Sequence, residues 1–172
     1  KLDIEVELGF TAEQAEAEAQ RCLNCDVQTV FDAKLCIECD ACIDICPRRA
    51  IRAIPRGHAA GVGTPFIIPR EAPCVMCSGL SCTTVCPSGT LRRLSSPHEV
   101  RMGRAIIDKA RCLPYQGAAC SACVSFCPVQ GAIALDDQAR PRITDACTGC
   151  GLCEHYCPPD PTAIHIRPRV PR

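Results

Sequence analysis

Cysteine is the residue in this chain whose number and spacing can do chemistry. There are 18 cysteines in 172 residues, far above ordinary usage. Sixteen fall into four motifs with a common ending: Cys36-x2-Cys39-x2-Cys42-x3-Cys46-Pro47, Cys74-x2-Cys77-x4-Cys82-x3-Cys86-Pro87, Cys112-x7-Cys120-x2-Cys123-x3-Cys127-Pro128 and Cys147-x2-Cys150-x2-Cys153-x3-Cys157-Pro158. Three cysteines this close can wrap three corners of a tetrahedral thiolate set. The fourth, before proline, reaches a neighbouring cluster. The proline fixes its own φ and offers no N–H, so it turns the chain out of the loop. This spacing suits a [4Fe–4S] cube, four times over.

Other sulfur chemistries explain less of the pattern. Structural zinc uses Cys-x2-Cys pairs, but needs two pairs rather than three close cysteines followed by a fourth and proline. An even cysteine count suits a disulfide scaffold, yet leaves the fourfold motif unexplained. A radical enzyme that binds S-adenosylmethionine shows Cys-x3-Cys-x2-Cys, and no Cys-x3-Cys here continues that way. Two cysteines stand apart, in Arg21-Cys22-Leu23-Asn24-Cys25. Two thiolates cannot complete a cube. They read first as idle thiols, and otherwise as ligands of a further site or a contact to a partner's cluster.

The fourth cysteine of each motif must be assigned to a partner motif, and two arrangements are open. In the nested one, motifs one and four share a module, and motifs two and three share the other. Cluster one then takes Cys36, Cys39, Cys42 and Cys157, and cluster four takes Cys147, Cys150, Cys153 and Cys46. Cluster two takes Cys74, Cys77, Cys82 and Cys127, and cluster three takes Cys112, Cys120, Cys123 and Cys86. The sequential arrangement pairs one with two and three with four. Form favours nesting, because motifs one and four are regular while two and three carry insertions.

The elements that must hold these loops are short. After each Cys-Pro comes an alternating apolar stretch: Ala50–Ile54, Thr90–Leu94, Ala132–Leu135 and Ala163–Ile166. Apolar residues also precede three motifs, at Phe66–Ile68, Ala105–Ile107 and Ile143. The unit is strand, cysteine loop, helical turn, strand. The expected fold is α+β: two bacterial-type two-cluster ferredoxin modules, nested, with an N-terminal helical extension. The expected boundaries are 1–30 for the extension, 31–60 plus 140–172 for the outer module and 61–139 for the inserted one. Aromatics number only four Phe and two Tyr, without Trp, so the cofactors must replace much of a hydrophobic core.

The extension begins with the capping box Thr11-Ala12-Glu13-Gln14. A helix is expected from Ala12 to about Leu23, with Ala12, Ala15, Ala19, Cys22 and Leu23 on one narrow face. That face suits docking, including head-to-tail docking on another copy. Arg167–Arg172 reads as an extended basic tail.

Nineteen basic and nineteen acidic residues leave no formal charge, and no basic-aromatic face suggests nucleic acid. Four oxidised clusters at roughly −2 each would bring the loaded protein to about −8. No apolar run is long enough to span a membrane, and no signal segment is visible, so a cytoplasmic location is expected. Within the loops, Ile37, Ile43, Ile45, Val85 and Leu152 are expected to exclude water. Gly149 and Gly151 are expected to bring N–H groups close to sulfur. Glu38, Asp40 and Asp44 are expected to lower the potential of cluster one. His58, His98, His155 and His165 are not needed as ligands, and Tyr115 and Tyr156 read as packing residues.

From Cys36 onward the chain resembles the ferredoxin-type subunits of periplasmic nitrate reductase and methylamine-utilisation systems. The resemblance is carried by Pro69–Cys74, Arg101-Met102-Gly103, Cys112–Gly117 and Asp145–Gly151. It implies four [4Fe–4S] clusters and nested pairing. The first 35 residues depart from that family. Gly9-Phe10-Thr11 and Glu18–Cys25 look like the N-terminal region of the flavin-containing small subunit of glutamate synthase. That protein's flavin domain has no room here. No G-x-G-x-x-G is present, and Gly57, Gly61 and Gly63 do not match it.

A polyferredoxin with such a head resembles the small subunit of bacterial tungsten-dependent aldehyde oxidoreductase complexes. That resemblance implies a non-catalytic electron-transfer subunit. It would relay electrons between a tungsten- or molybdenum-pterin catalytic subunit and a flavin subunit that reacts with NAD. A ferredoxin-type subunit of a nitrate reductase-like or hydrogenase-like complex is the alternative, as is a cluster-stapled assembly hub.

Overall fold

A computed structural model of the chain describes residues 35–54 and 63–168, together with Thr11 and Glu13. The expected N-terminal helix face, Cys22, Cys25, His58, Gly57 and Gly61 lie outside the described residues.

Four one-turn helices carry the third cysteine of each motif: α1 (Ala41–Asp44), α2 (Ser81–Thr84), α3 (Ala122–Ser125) and α4 (Leu152–His155). Each stops two residues short of the cysteine before proline, because a residue preceding proline is disfavoured in the α region. Asp40, Leu80 and Gly151, just ahead of α1, α2 and α4, are left-handed with φ of 59°, 43° and 88°. That reversal turns the loop sharply into its helix. In motif three a 3-10 turn at Leu113–Gln116 takes up the long insertion.

Among the described residues six short strands form three antiparallel pairs. β1 (Arg52–Ala53) pairs with β2 (Pro65–Phe66), and β4 (Ile133–Leu135) pairs with β5 (Pro141–Ile143). The longest ladder joins β3 (Gly103–Ile107) to β6 (Ile164–Pro168), with Gly103 opposite Pro168 and Ile107 opposite Ile164. Ala105, Ile164 and Ile166 of that ladder are buried, whereas Arg104, Ile106 and Arg167 face out, the alternation that a one-sided sheet requires. Arg167 and Pro168 thus belong to a strand, not to an extended tail. Thr90–Leu94 is no strand either; only Leu91 makes an isolated bridge.

The modules are consecutive, and the nested boundaries are corrected. The β3–β6 ladder closes the chain around motifs three and four, with the β4–β5 hairpin between them. The β1–β2 hairpin lies between motifs one and two. Helix α1 packs on α2, and α3 on α4. The insertions that made motifs two and three look alike sit on the outer side of their loops. Ser78 and Gly79, like Gln116–Ala119, are exposed and have no bearing on which motifs pair.

The interior is built of cysteines and small aliphatics. The position that follows each Cys-Pro turn holds Ala50, Thr90, Ala132 and Ala163, all between 0% and 4% exposed. Ile51, Ile67, Leu91, Met102, Val129, Ile164 and Ile166 complete the core.

Four candidate iron–sulfur centres

All sixteen motif cysteines are free thiols in the structure. They converge in four groups. Cys36, Cys39 and Cys42 line one cavity with Cys86. Cys74, Cys77 and Cys82 line another with Cys46. Cys147, Cys150 and Cys153 line a third with Cys127. Cys112 and Cys123 are each close enough to both Cys120 and Cys157 for their charges to interact.

The fourth-ligand assignments made from form are therefore corrected. Cys86, not Cys157, joins Cys36, Cys39 and Cys42. Cys46 joins Cys74, Cys77 and Cys82, where Cys127 had been expected. Cys157 joins Cys112, Cys120 and Cys123 in place of Cys86, and Cys127 joins Cys147, Cys150 and Cys153 in place of Cys46. The physical reason is the hairpin between the motifs of each module. It folds the second loop back against the first, so each Cys-Pro reaches its neighbour in sequence.

The electrostatics of these groups oppose ionisation of most of the thiols on their own. Burial, with a smaller contribution from the neighbouring sulfurs, pushes Cys42, Cys123 and Cys150 up to about 11 and Cys74 to about 12. Burial also drives Cys153 well up, and raises Cys82, Cys112 and Cys127. Cys86 is the exception. Burial raises it, but the Leu91 N–H at 3.4 Å, the Ser88 hydroxyl and nearby amides outweigh that and lower it. Gathered thiols that resist ionisation alone become ligands when a metal supplies compensating charge. Among the described residues no three His, Cys, Asp or Glu side chains sit tightly enough for a single ion. The residues fit larger groups: four [4Fe–4S] clusters, each held by four thiolates. Ala50 N donates to Cys46 Sγ at 3.3 Å, and Ala105 N to Cys147 Sγ at 3.5 Å. Such N–H···S contacts tune a cluster's potential.

Several tuning residues are placed differently from expectation. Ile37, Ile45 and Val85 are 63%, 42% and 36% exposed, so they do not screen sulfur from water. Leu152 is buried and Ile43 half-buried. The screening falls to Leu152 together with the buried Met76, Leu80, Leu91 and Val129, whose inward placement no local spacing marks. The residue before each Cys-Pro is the exposed one, and in the second module Phe126 and Tyr156 stack there with centroids 3.8 Å apart. Tyr156 is thus a surface residue, whereas Tyr115 packs as expected, donating to Pro141 O at 3.2 Å. Glu38, Asp40 and Asp44 are exposed. His155 Nδ1 donates to the Arg70 carbonyl at 2.7 Å.

Gly151 serves chiefly the seam between modules, whereas Gly149 lets its loop close on the start of β3. A Cβ on Gly149 would lie 2.3 Å from Gly103 N, and one on Gly151 would lie 2.5 Å from Pro69 Cβ. Across the same seam Cys74 N donates to Cys150 O at 3.0 Å, and Met102 N to Thr148 O at 3.0 Å. Arg70 Nη1 donates to the carbonyls of Glu154, His155 and Cys157 at 3.0, 3.2 and 3.0 Å. Pro69–Cys74 and Asp145–Gly151, singled out from the sequence, meet here.

Fold and site together define an iron–sulfur electron-transfer protein with two tandem 4Fe-4S dicluster domains. Residues 35–90 and 104–158 each match a 4Fe-4S dicluster domain family. The chain belongs to the ferredoxin-type proteins represented by NapG and MauM. It is 36% identical over 170 residues to the methylamine utilization ferredoxin-type protein MauM of Methylorubrum extorquens, covering 92% of this chain and 77% of that one. It is 35% identical over 150 residues to the ferredoxin-type protein NapG of Escherichia coli, covering 79% of this chain. It spans 65% of the length of that relative. The thiosulfate reductase electron transfer subunit PhsB of Salmonella typhi is 27% identical over 153 residues, covering 76% of this chain and 71% of that one. Among the described residues no helix is long and apolar enough to cross a membrane.

Proposed function

We propose that this chain is the non-catalytic relay of a multi-subunit oxidoreductase, with its four sites in the spatial order one, two, four, three. Here each site is numbered by the motif that supplies three of its ligands. Each cluster, when bound, supplies reversible one-electron chemistry. The chain's residues hold the sites near one another, keep water from the sulfurs and bias the potentials. The order is supported by which sulfurs feel one another. Cys42 of site one feels Cys82 of site two, Cys74 of site two feels Cys150 of site four, and Cys153 of site four feels Cys123 of site three. The observation that carries the proposal is the junction of the modules, where Cys74 N–H and Cys150 C=O are hydrogen-bonded. Without that contact the two modules would be separate carriers. Sites one and three are then the termini, and Cys39 of site one is the exposed ligand.

The partners we propose are a tungsten- or molybdenum-pterin catalytic subunit and a flavin subunit reacting with NAD, in the cytoplasm. The support is the resemblance of the first 35 residues and the electron-transfer role in the name of the PhsB relative. Anaerobic purification of the native complex, with iron, tungsten, molybdenum and flavin analysis and cell fractionation, tests this. About 16 iron per chain is expected, with full reduction of the clusters by the catalytic subunit's substrate. Molybdenum with nitrate reduction, or a hydrogenase partner, moves the chain to another complex. Clusters that never turn over would leave only the assembly-hub reading.

A further inference from the structure

Thr148 is polar where the repeat places an aliphatic side chain. It follows the first cysteine of motif four, and the same position holds Ile37, Val75 and Leu113 in the other motifs. Threonine and valine share a shape, so the exchange at this position is one methyl for one hydroxyl. Thr148 is 1% exposed, and its Oγ1 has no hydrogen-bond partner among the described residues. An unpaired buried hydroxyl is costly and calls for an acceptor. The carbonyl of Thr148 has no such need, since it accepts from Met102 N and Gly103 N at 3.0 and 3.3 Å.

The cavity that Thr148 lines is the one formed by Cys127, Cys147, Cys150 and Cys153. The rest of its wall is Gly151 and aliphatic residues such as Val129, Ala132 and Ile166. Sulfur is the side-chain acceptor available there. We propose that the Thr148 hydroxyl donates a hydrogen bond to a sulfur of cluster four and raises that cluster's reduction potential. The inference rests on the reading that this group of cysteines holds a cluster. A proton aimed at sulfur stabilises the more negative, reduced state more than the oxidised one. The effect is strengthened by the low dielectric around a site whose three loop cysteines are all buried. Site four is also the first on the second module's side of the seam, so the hydroxyl favours the arrival of an electron crossing between modules.

The test uses the loaded full chain, with Thr148→Val to remove the hydroxyl and Thr148→Ser to keep it. Midpoints come from redox titration followed by electron paramagnetic resonance, and exchangeable protons near the cluster from electron–nuclear double resonance in H2O and D2O. Thr148→Val is expected to retain all its iron and to lower one midpoint only. The shift corresponds to about tenfold in that cluster's reduction equilibrium, about 60 mV for one electron, with loss of one exchangeable-proton coupling. Thr148→Ser is expected to keep both. Four unchanged midpoints in the valine variant, or a serine variant shifted as far as the valine one, would overturn the proposal. Wild-type protein with about 12 iron and no cluster at this site would overturn the ligand reading beneath it.

Discussion

A thiol at the first, second or third position of a motif is placed by its own loop. The wrapping of three corners is a local event, and in the structure those three thiols of each motif do lie together. The fourth position was legible as a thiol that leaves its own loop, but not as to the group it joins. Its destination depends on how the hairpin between two motifs folds, and no local spacing encodes that. Paired variants separate the two arrangements. Cys36→Ala with Cys86→Ala damages one site in the observed grouping, so iron should fall from about 16 to about 12 per chain. Cys112→Ala with Cys86→Ala damages two, so iron should fall to about 8. The reverse outcome, by iron analysis and quantitative spin counting, would restore the nested ligand sets. Thr148 belongs to this scale as well: its departure from Ile37, Val75 and Leu113 is visible in the repeat, but its burial and lack of a partner are not.

Elements this short owe little to propensity. Helices of four residues cannot persist alone, and each is defined by a sharp loop before it and a Cys-Pro after it. The strands were legible where alternation met a partner, as at Ile133–Leu135 and Ile164–Ile166. They failed at Thr90–Leu94, where the alternating residues have only the Leu91 bridge to extend. The exposure of Ile37, Ile45 and Val85 was equally hidden, because an apolar residue in a tight loop points wherever the cysteines leave room.

The β4–β5 hairpin shows how a polar residue fixes such an element. Asp136 Oδ1 accepts from Arg140 N at 2.9 Å and Gln138 N at 3.0 Å, and Oδ2 accepts from Arg140 Nε at 2.9 Å. The Arg140 amide first, then the other donors and the guanidinium charge, bring its carboxyl down to about 2. Because the folded value lies below the unfolded one of about 3.9, ionised Asp136 favours the hairpin above that pH. The contribution disappears as pH falls through about 2. Asp136→Asn should therefore speed amide exchange in peptides covering residues 133–143 at neutral pH, with the iron content unchanged. Exchange no faster than wild type would show that the turn is held by other contacts.

At the scale of the whole molecule the decisive structure is the seam, since two modules make one relay only if sites two and four stay together. The seam is narrow and made of backbone. Gly151 allows the approach, with φ of +88°. Cys74 donates across it to the Cys150 carbonyl, and Met102, in the stretch that leads from the first module into β3, donates to the Thr148 carbonyl. Arg70 secures it from outside, as one guanidinium nitrogen reaches three carbonyls at the end of α4, where the helix dipole also favours a cation. Hydrogen bonds from a charged donor contribute about 1.5–3 kcal/mol, reduced here because Arg70 is exposed. Arg70→Ala touches no cysteine ligand, so it should leave about 16 iron per chain and all four midpoints in place. It should lower the melting temperature and weaken the magnetic coupling between the clusters of sites two and four. Electrons introduced at site one by a rapid photoreductant should still reach site two at the wild-type rate, then cross to the second module several-fold more slowly. Arg70→Lys, which keeps the charge but not the guanidinium's reach, should fall between. If crossing is as fast in Arg70→Ala as in wild type while the coupling is weaker, the path between modules lies elsewhere and the order one, two, four, three is wrong. If the coupling is also unchanged, the backbone contacts of Cys74 and Gly151 hold the modules without Arg70.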